Sequence, residues 1–150
     1  MELKIKALSP NIGNQIPFPS SATAGSAGMD LRACIDEPIT IKPFERVKVP
    51  CGFAISLPGP EWVAYLFARS GLAIKSGITI PNCVGVIDSD YRGEIIVALI
   101  NQSDTPYTVE PGDRIAQMVI MPVTQATISV VDELDDTERG AGGFGSTGRA

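Results

Sequence analysis

Short apolar stretches broken by proline and glycine limit what this chain can become. LKIKAL (3–8) and VKVPCGFAISL (47–57) alternate apolar with polar residues. WVAYLFA (62–68), EIIVALIN (94–101) and RIAQMVIMPV (114–123) are nearly continuous, and TISVV (127–131) is the last such run. With 12 prolines and 15 glycines falling between nearly all of them, no long amphipathic helix can be placed. The pattern predicts an all-β domain, a sandwich or barrel of many short strands. SGLAIKSG (70–77), bracketed by Gly71 and Gly77, leaves room for one or two helical turns. The apolar pattern stops at Val131, which predicts one domain over 1–131 followed by an acidic linker and a glycine-rich arm over 132–150.

At 150 residues, 44% of them hydrophobic and 19% charged, the chain has the composition of one globular domain. Its formal net charge of −5 weighs against nucleic acid and anionic membranes as partners. Cys34, Cys51 and Cys83 show no C-x-x-C spacing, the usage of a reduced, cytoplasmic protein. The longest apolar run, Ile95 to Ile100, is too short to span a bilayer. There is no histidine, so a Ser-His-Asp triad, a Cys-His pair and a histidine–zinc site are excluded. Proton chemistry must fall to Asp, Glu, Lys, Tyr or Cys.

Five polar, glycine-bearing segments interrupt the strands: AGMDLRA (27–33), RSGLA (69–73), GVIDSDYRGE (85–94), PGDRIAQ (111–117) and RGAGGFGSTG (139–148). Each has a bland reading as a turn or a solvated surface. The last satisfies G-x-G-x-x-G through Gly140, Gly142 and Gly145, but no helix can follow it, so a dinucleotide fold is rejected. That leaves an idle tail or an arm that orders over a ligand. Lys75-Ser76 lacks the glycine of a P-loop. Together the segments share a chemistry. Ser70 and Gly71 at a helix start suit a phosphate, Arg69 and Arg139 offer planar cations, and Gln117 a neutral donor and acceptor. GVIDSDYRGE reads as a hairpin with Val86 facing Ile96 across the pair, its backbone free at the mouth to read a base edge. Asp88 and Asp90 near its turn could be a Ca²⁺-type loop, a turn-capping pair, or a general base with a structural neighbour.

In this order and over 27–148, the five segments resemble the five motifs of the homotrimeric dUTPases, the deoxyuridine triphosphate nucleotidohydrolases. Two positions depart from the common pattern: Ala68 stands where the family often has proline, and Lys75-Ser76 where a histidine often follows. The resemblance implies a distorted jelly-roll domain with one short helix and a flexible C-terminal arm, trimerising so that three subunits build each site. It implies Mg²⁺-dependent hydrolysis of dUTP to dUMP and pyrophosphate, limiting uracil incorporation into DNA and supplying dUMP for thymidylate synthesis.

Residue by residue, Asp88 is similar to the carboxylate that activates water, and Asp90 to a structural neighbour. Tyr91 would lie beneath the deoxyribose and exclude a 2′-hydroxyl; Asn82, Val86, Ile87 and Ile96 would read uracil. Arg69, Ser70, Gly71 and Gln117 would bind the phosphates. Mg²⁺ would be held by phosphates and water, with Asp30 reached only through water and no direct protein ligand. Phe144 would stack on the base while Arg139, Gly145, Ser146 and Thr147 close over the phosphates. A dCTP deaminase of the same fold and a non-catalytic nucleotide sensor stand as the alternatives. Ammonia release would mark the first, and binding without turnover the second.

Overall fold

The computed structural model describes residues 1–143. Among them the strands are β1 (Lys4–Ala7), β2 (Met29–Arg32), β3 (Ile39–Ile41), β4 (Arg46–Pro50), β5 (Phe53–Ser56) and β6 (Trp62–Ala68). After the single helix α1 (Ser70–Ser76) come β7 (Ile78–Thr79), β8 (Val84–Ile87), β9 (Ile96–Asn101), β10 (Tyr107–Val109) and β11 (Arg114–Pro122). One antiparallel sheet has the order β2-β11-β6-β8 and a second β4-β9-β7; β1-β5 and β10-β3 form two-stranded ribbons. The expected all-β architecture with one short helix is what the chain adopts.

Leu31, Leu66 and Met118 of the first sheet meet Val49, Val97 and Leu99 of the second in one buried cluster, joined by Phe53 and Ile55 of β5. Each such side chain contributes about 1.5–3 kcal/mol by leaving water. None of the helix's residues is fully buried, though Leu72 packs half-buried against that core, and the helix ends at Gly77 in the left-handed region (φ 67°). No helix among the described residues is long and apolar enough to cross a membrane.

Three details depart from the sequence reading. The alternating run 47–57 is two strands, because the chain bulges between them. Cys51 N–H donates to Ile95 O and Ile95 N–H to Phe53 O, both at 2.9 Å, leaving Gly52 as the extra residue at φ 77°. GVIDSDYRGE is not a ladder-paired hairpin. β8 bonds to β6 and β9 to β4 and β7, so the segment crosses from one sheet to the other. TISVV is not a strand either. The described residues supply no pairing partner for it, and Ile128 and Val130 stand 87% and 93% exposed.

Asn101 is the buried polar side chain of the described core, and all its hydrogen-bonding capacity is used. Its Nδ2 donates to Ile41 O (3.0 Å) and Thr105 O (2.7 Å), while Oδ1 accepts from Ser103 N (2.9 Å) and Oγ (2.7 Å). It ties β9, β3 and the loop beyond β9 together. Asn101→Ala should strand these buried groups and lower unfolding free energy by about 3 kcal/mol, read from urea denaturation at fixed chain concentration; a loss below about 1 kcal/mol contradicts this role.

Candidate active site

β8 lies at the edge of its sheet, bonded to β6 on one side only. Between it and β9 a cavity of about 200 Å³ is lined by Asn82, Val86, Ile87, Ile96 and the core side chains Leu66 and Ile80. A second hollow of about 210 Å³, bounded by Val86, Ile87, Asp88, Tyr91, Glu94 and Ile96, shares three of these walls. Val86 and Ile96 thus share the two hollows, though not as a ladder pair. A free strand edge faced by apolar walls can take a flat ring and pair with its polar rim.

The turn that follows β8 closes through Tyr91 N–H donating to Asp88 O at 3.2 Å. Arg92 Nη1 donates to Ser89 O (2.7 Å) and Tyr91 O (2.9 Å), so one guanidinium gathers the turn's carbonyls. Tyr91 Oη donates to Glu94 O at 3.1 Å, folding the ring back over Gly93, where a Cβ would collide with the phenol. Asp88 and Asp90 are both exposed, with their carboxylates open to solvent and to a ligand. A further hollow of about 640 Å³, walled by Trp62, Tyr65 and Val86, reaches the same turn.

A second cluster gathers where β6 runs into α1. Asp30 of β2 pairs with Arg69 Nε through Oδ1 (3.2 Å) and with Arg114 Nη1 through Oδ2 (3.1 Å). Arg69 Nη1 donates to Arg114 O at 3.1 Å. Gln117, opposite Asp30 in the β2–β11 register, donates from Nε2 to Ala68 O at 3.1 Å. A register shift between Arg114 and Ala116 bends β11 where Arg114 reaches the carboxylate. Ser70 and Gly71 begin α1, exposed, with Arg69 at its N-cap and no side chain capping the first amides. Two guanidiniums, a carboxamide, a hydroxyl and amide groups of the helix start are donors of the kind that can bind phosphate oxygens.

The two clusters do not meet within one chain. Ile87, just before Asp88, pairs with Ala64, whereas Arg69 lies five residues farther along β6. At the usual strand rise that is roughly 16 Å. Arg139 belongs to neither group; it is exposed and donates from Nε to Gly142 O at 2.9 Å within its own turn. Phe144, Gly145, Ser146 and Thr147 lie outside the described residues. Arg114, Arg92 and Glu94 join these clusters without being predicted from the sequence, although they lie in the polar segments that carry the other site residues. Their signal is a spatial partner, which spacing does not carry.

Among the described residues no group of three or more His, Cys, Asp or Glu side chains is placed to hold a metal ion. All three cysteines are free. Burial, then the charge of Glu94, then Cys34 push the Cys51 thiol from its ordinary 9.0 up to about 12, so it is no nucleophile at neutral pH. The folded state holds that proton more tightly than the unfolded chain. Its stabilising effect is complete below about pH 9 and is lost as pH rises toward 12.

Comparison with known proteins decides what carries this geometry. The dUTPase family model matches residues 14–148. The chain belongs to the dUTPase family. A deoxyuridine 5′-triphosphate nucleotidohydrolase of Hahella chejuensis is 53% identical over 146 residues, 97% of this chain and 96% of that protein. The enzyme of the same name from Idiomarina loihiensis is 50% identical over 149 residues, 99% of each chain. In three dimensions this dUTPase is similar to that of Staphylococcus bacteriophage 80alpha solved with dUpNHpp, with a TM-score of 0.86, 28% identity and 99% coverage of both chains.

Arg69→Gln in this dUTPase should weaken dUpNHpp binding at least about tenfold with little change in melting temperature, since its ion pair is solvent-accessible. Arg69→Lys should recover only part of that, because an ammonium cannot reproduce the planar fork between Asp30 and the Arg114 carbonyl. Calorimetric titration measures both; full recovery by lysine contradicts the assignment.

Proposed function

We propose that this dUTPase hydrolyses dUTP to dUMP and pyrophosphate at a site completed by other copies of the chain. The carrying observation is the pair of adjoining hollows that share Val86, Ile87 and Ile96 and reach from Asn82 to Asp88 and Tyr91 beside the outer edge of β8. Uracil would enter between β8 and β9, where backbone of Val86 and Ile87 and the Asn82 side chain read its edge. A 5-methyl group would clash with the narrow walls, and the exocyclic amine of cytosine would place a donor where a donor already points. Tyr91, its hydroxyl held by Glu94 O, would present its ring to the deoxyribose and leave no volume for a 2′-hydroxyl.

In the reaction, water oxygen attacks the α-phosphorus, Asp88 accepts its proton, and the bond from α-phosphorus to the α,β-bridging oxygen breaks to release pyrophosphate. With no histidine in the chain, a carboxylate is the suitable base. Arg69, Ser70, Gly71 and Gln117 would hold the phosphates and fix the line of attack. Mg²⁺ fits this donor set through the substrate. Both Asp30 oxygens already accept from guanidiniums, so phosphate oxygens and water would be its ligands and Asp30 would bond to one of those waters. Bound there, the ion would neutralise charge on the leaving pyrophosphate.

A homotrimer with shared sites accounts for the roughly 16 Å between the two clusters along β6. Asp88 and Tyr91 of one chain would face Arg69 and Gln117 of another. Arg139, Phe144, Gly145, Ser146 and Thr147 of the third would close over the nucleotide. The exposed apolar residues Ile128, Val130 and Leu134 support such association, because a run of this kind needs cover. Three free cysteines agree with a reduced, cytoplasmic setting.

Pyrophosphate release from a panel of nucleoside triphosphates, with and without Mg²⁺, tests this reading. dUTP should be consumed, with dTTP, dCTP and UTP poor substrates. Asp88→Asn should keep dUpNHpp affinity within about threefold and lose at least about 100-fold in kcat. Near-normal turnover of that variant, or ammonia release from dCTP, contradicts the proposal.

A further inference from the structure

The Gly52 bulge has a consequence for the turn that carries Asp88 and Tyr91. Cys51 and Phe53 on either side of it both bond to Ile95, so the ladder leaves the Gly52 amide without a backbone carbonyl. Gly52 is buried, and an unpaired buried N–H is costly. Glu94 supplies the acceptor: its Oε1 takes the Gly52 N–H at 2.8 Å across 42 residues of sequence. The Gly52 carbonyl is engaged in turn by Leu8 N–H (2.8 Å) and Ser9 N–H (3.1 Å), which fixes the bulge from the other side. No side chain can replace the glycine, since its φ is 77° and a Cβ would strike the Cys34 sulfur.

Glu94 therefore stands with its carboxylate locked to a rigid part of the core. Its own carbonyl accepts the Tyr91 hydroxyl at 3.1 Å. It also borders the hollow shared by Asp88, Tyr91 and Ile96. The charge it places beside Cys51 is one of the causes that raise that thiol, in keeping with a carboxylate seated at the bulge.

We propose that Glu94 is a positioning residue for sugar selection: by capping the orphan Gly52 amide it fixes the carbonyl that holds Tyr91 against the deoxyribose. This rests on the reading of Tyr91 as the sugar gate. In this role Glu94 acts as a hydrogen-bond acceptor for the Gly52 amide, a task that does not require its charge. A neutral acceptor of the same shape should therefore serve.

The test compares Glu94→Gln, Glu94→Ala, Tyr91→Phe and the Glu94→Ala/Tyr91→Phe double variant of the full chain, using pyrophosphate release with dUTP and UTP. Glu94→Ala should raise KM for dUTP about tenfold and narrow the dUTP/UTP preference by a similar factor, with kcat changed less than about threefold. Glu94→Gln should stay within about threefold of the parent on every parameter. The double variant should be no worse in preference than the more affected single variant, because both changes release the same ring. The proposal is overturned if folded Glu94→Ala keeps the parental KM and preference, if Glu94→Gln is as impaired as Glu94→Ala, or if the two single effects add fully. Should Glu94→Ala fail to fold, Glu94→Gln and Tyr91→Phe still decide. A parental preference in Tyr91→Phe removes the hydroxyl link, and loss of preference in Glu94→Gln removes the neutral-acceptor mechanism. If the parent protein itself left dUTP intact, the functional reading would fail instead, which separates the two outcomes.

Discussion

The site depends on an unpaired strand edge. β8 spends its hydrogen bonds on β6 from one side and turns its other side to β9 without bonding to it. Had β8 and β9 closed into a hairpin ladder, the outward-facing backbone groups of β8 would be consumed in holding the sheet. Left free, they are donors and acceptors of fixed direction, held by strands on rigid sheets and walled by Ile96, Ile80 and Leu66. Such an edge is normally a liability for a β protein, open to pairing with another chain. Here its length is four residues, and the groove beside it is the size of a ring rather than of a strand. The base recognition by main chain proposed above suits such an arrangement, since backbone cannot drift by rotamer change.

From that edge outward, the structure fixes the neighbouring chemistry by crossing rather than by pairing. The segment after β8 leaves one sheet and enters the other, so its turn is supported at both ends by different layers of the core. Arg92 gathers its carbonyls, Tyr91 folds over Gly93, and Glu94 reaches the bulge at Gly52. Asp88 is thereby exposed yet mounted on a stiff frame, which suits the role of water-activating base proposed for it. The phosphate-type cluster is stiffened differently, by one carboxylate shared between two arginines.

Much of this was legible in the residues. Proline and glycine punctuation gave the all-β class, and Gly77 marked the end of the one helix of the described residues, because both are local effects of backbone freedom. The five polar segments gave the family, as each carries its chemistry in consecutive residues. Partner choice between strands was not legible. β8 against β6 is a contact set by the folding of the whole sheet, and the alternation around GVIDSDYRGE is as compatible with a hairpin as with a crossing. The bulge at Gly52 was hidden inside an alternating run for the same reason. TISVV has the composition of a strand but lacks a partner among the described residues, so composition alone overstated it. Glu94 and Arg114 carry no signature apart from the amide and carboxylate they meet in space.

The separation of Asp88 from Arg69 along β6 makes a composite site the central claim, and subunit mixing tests it most directly. Asp88→Asn and Arg69→Ala proteins, each inactive alone, would be dissociated together, reassembled, and assayed for pyrophosphate release from dUTP. If one chain lends the aspartate and another the arginine, every mixed trimer has one intact site, and an equal mixture should regain about a quarter of the parental activity. A mixture that reassembles into mixed trimers and stays as inactive as its components would contradict the account.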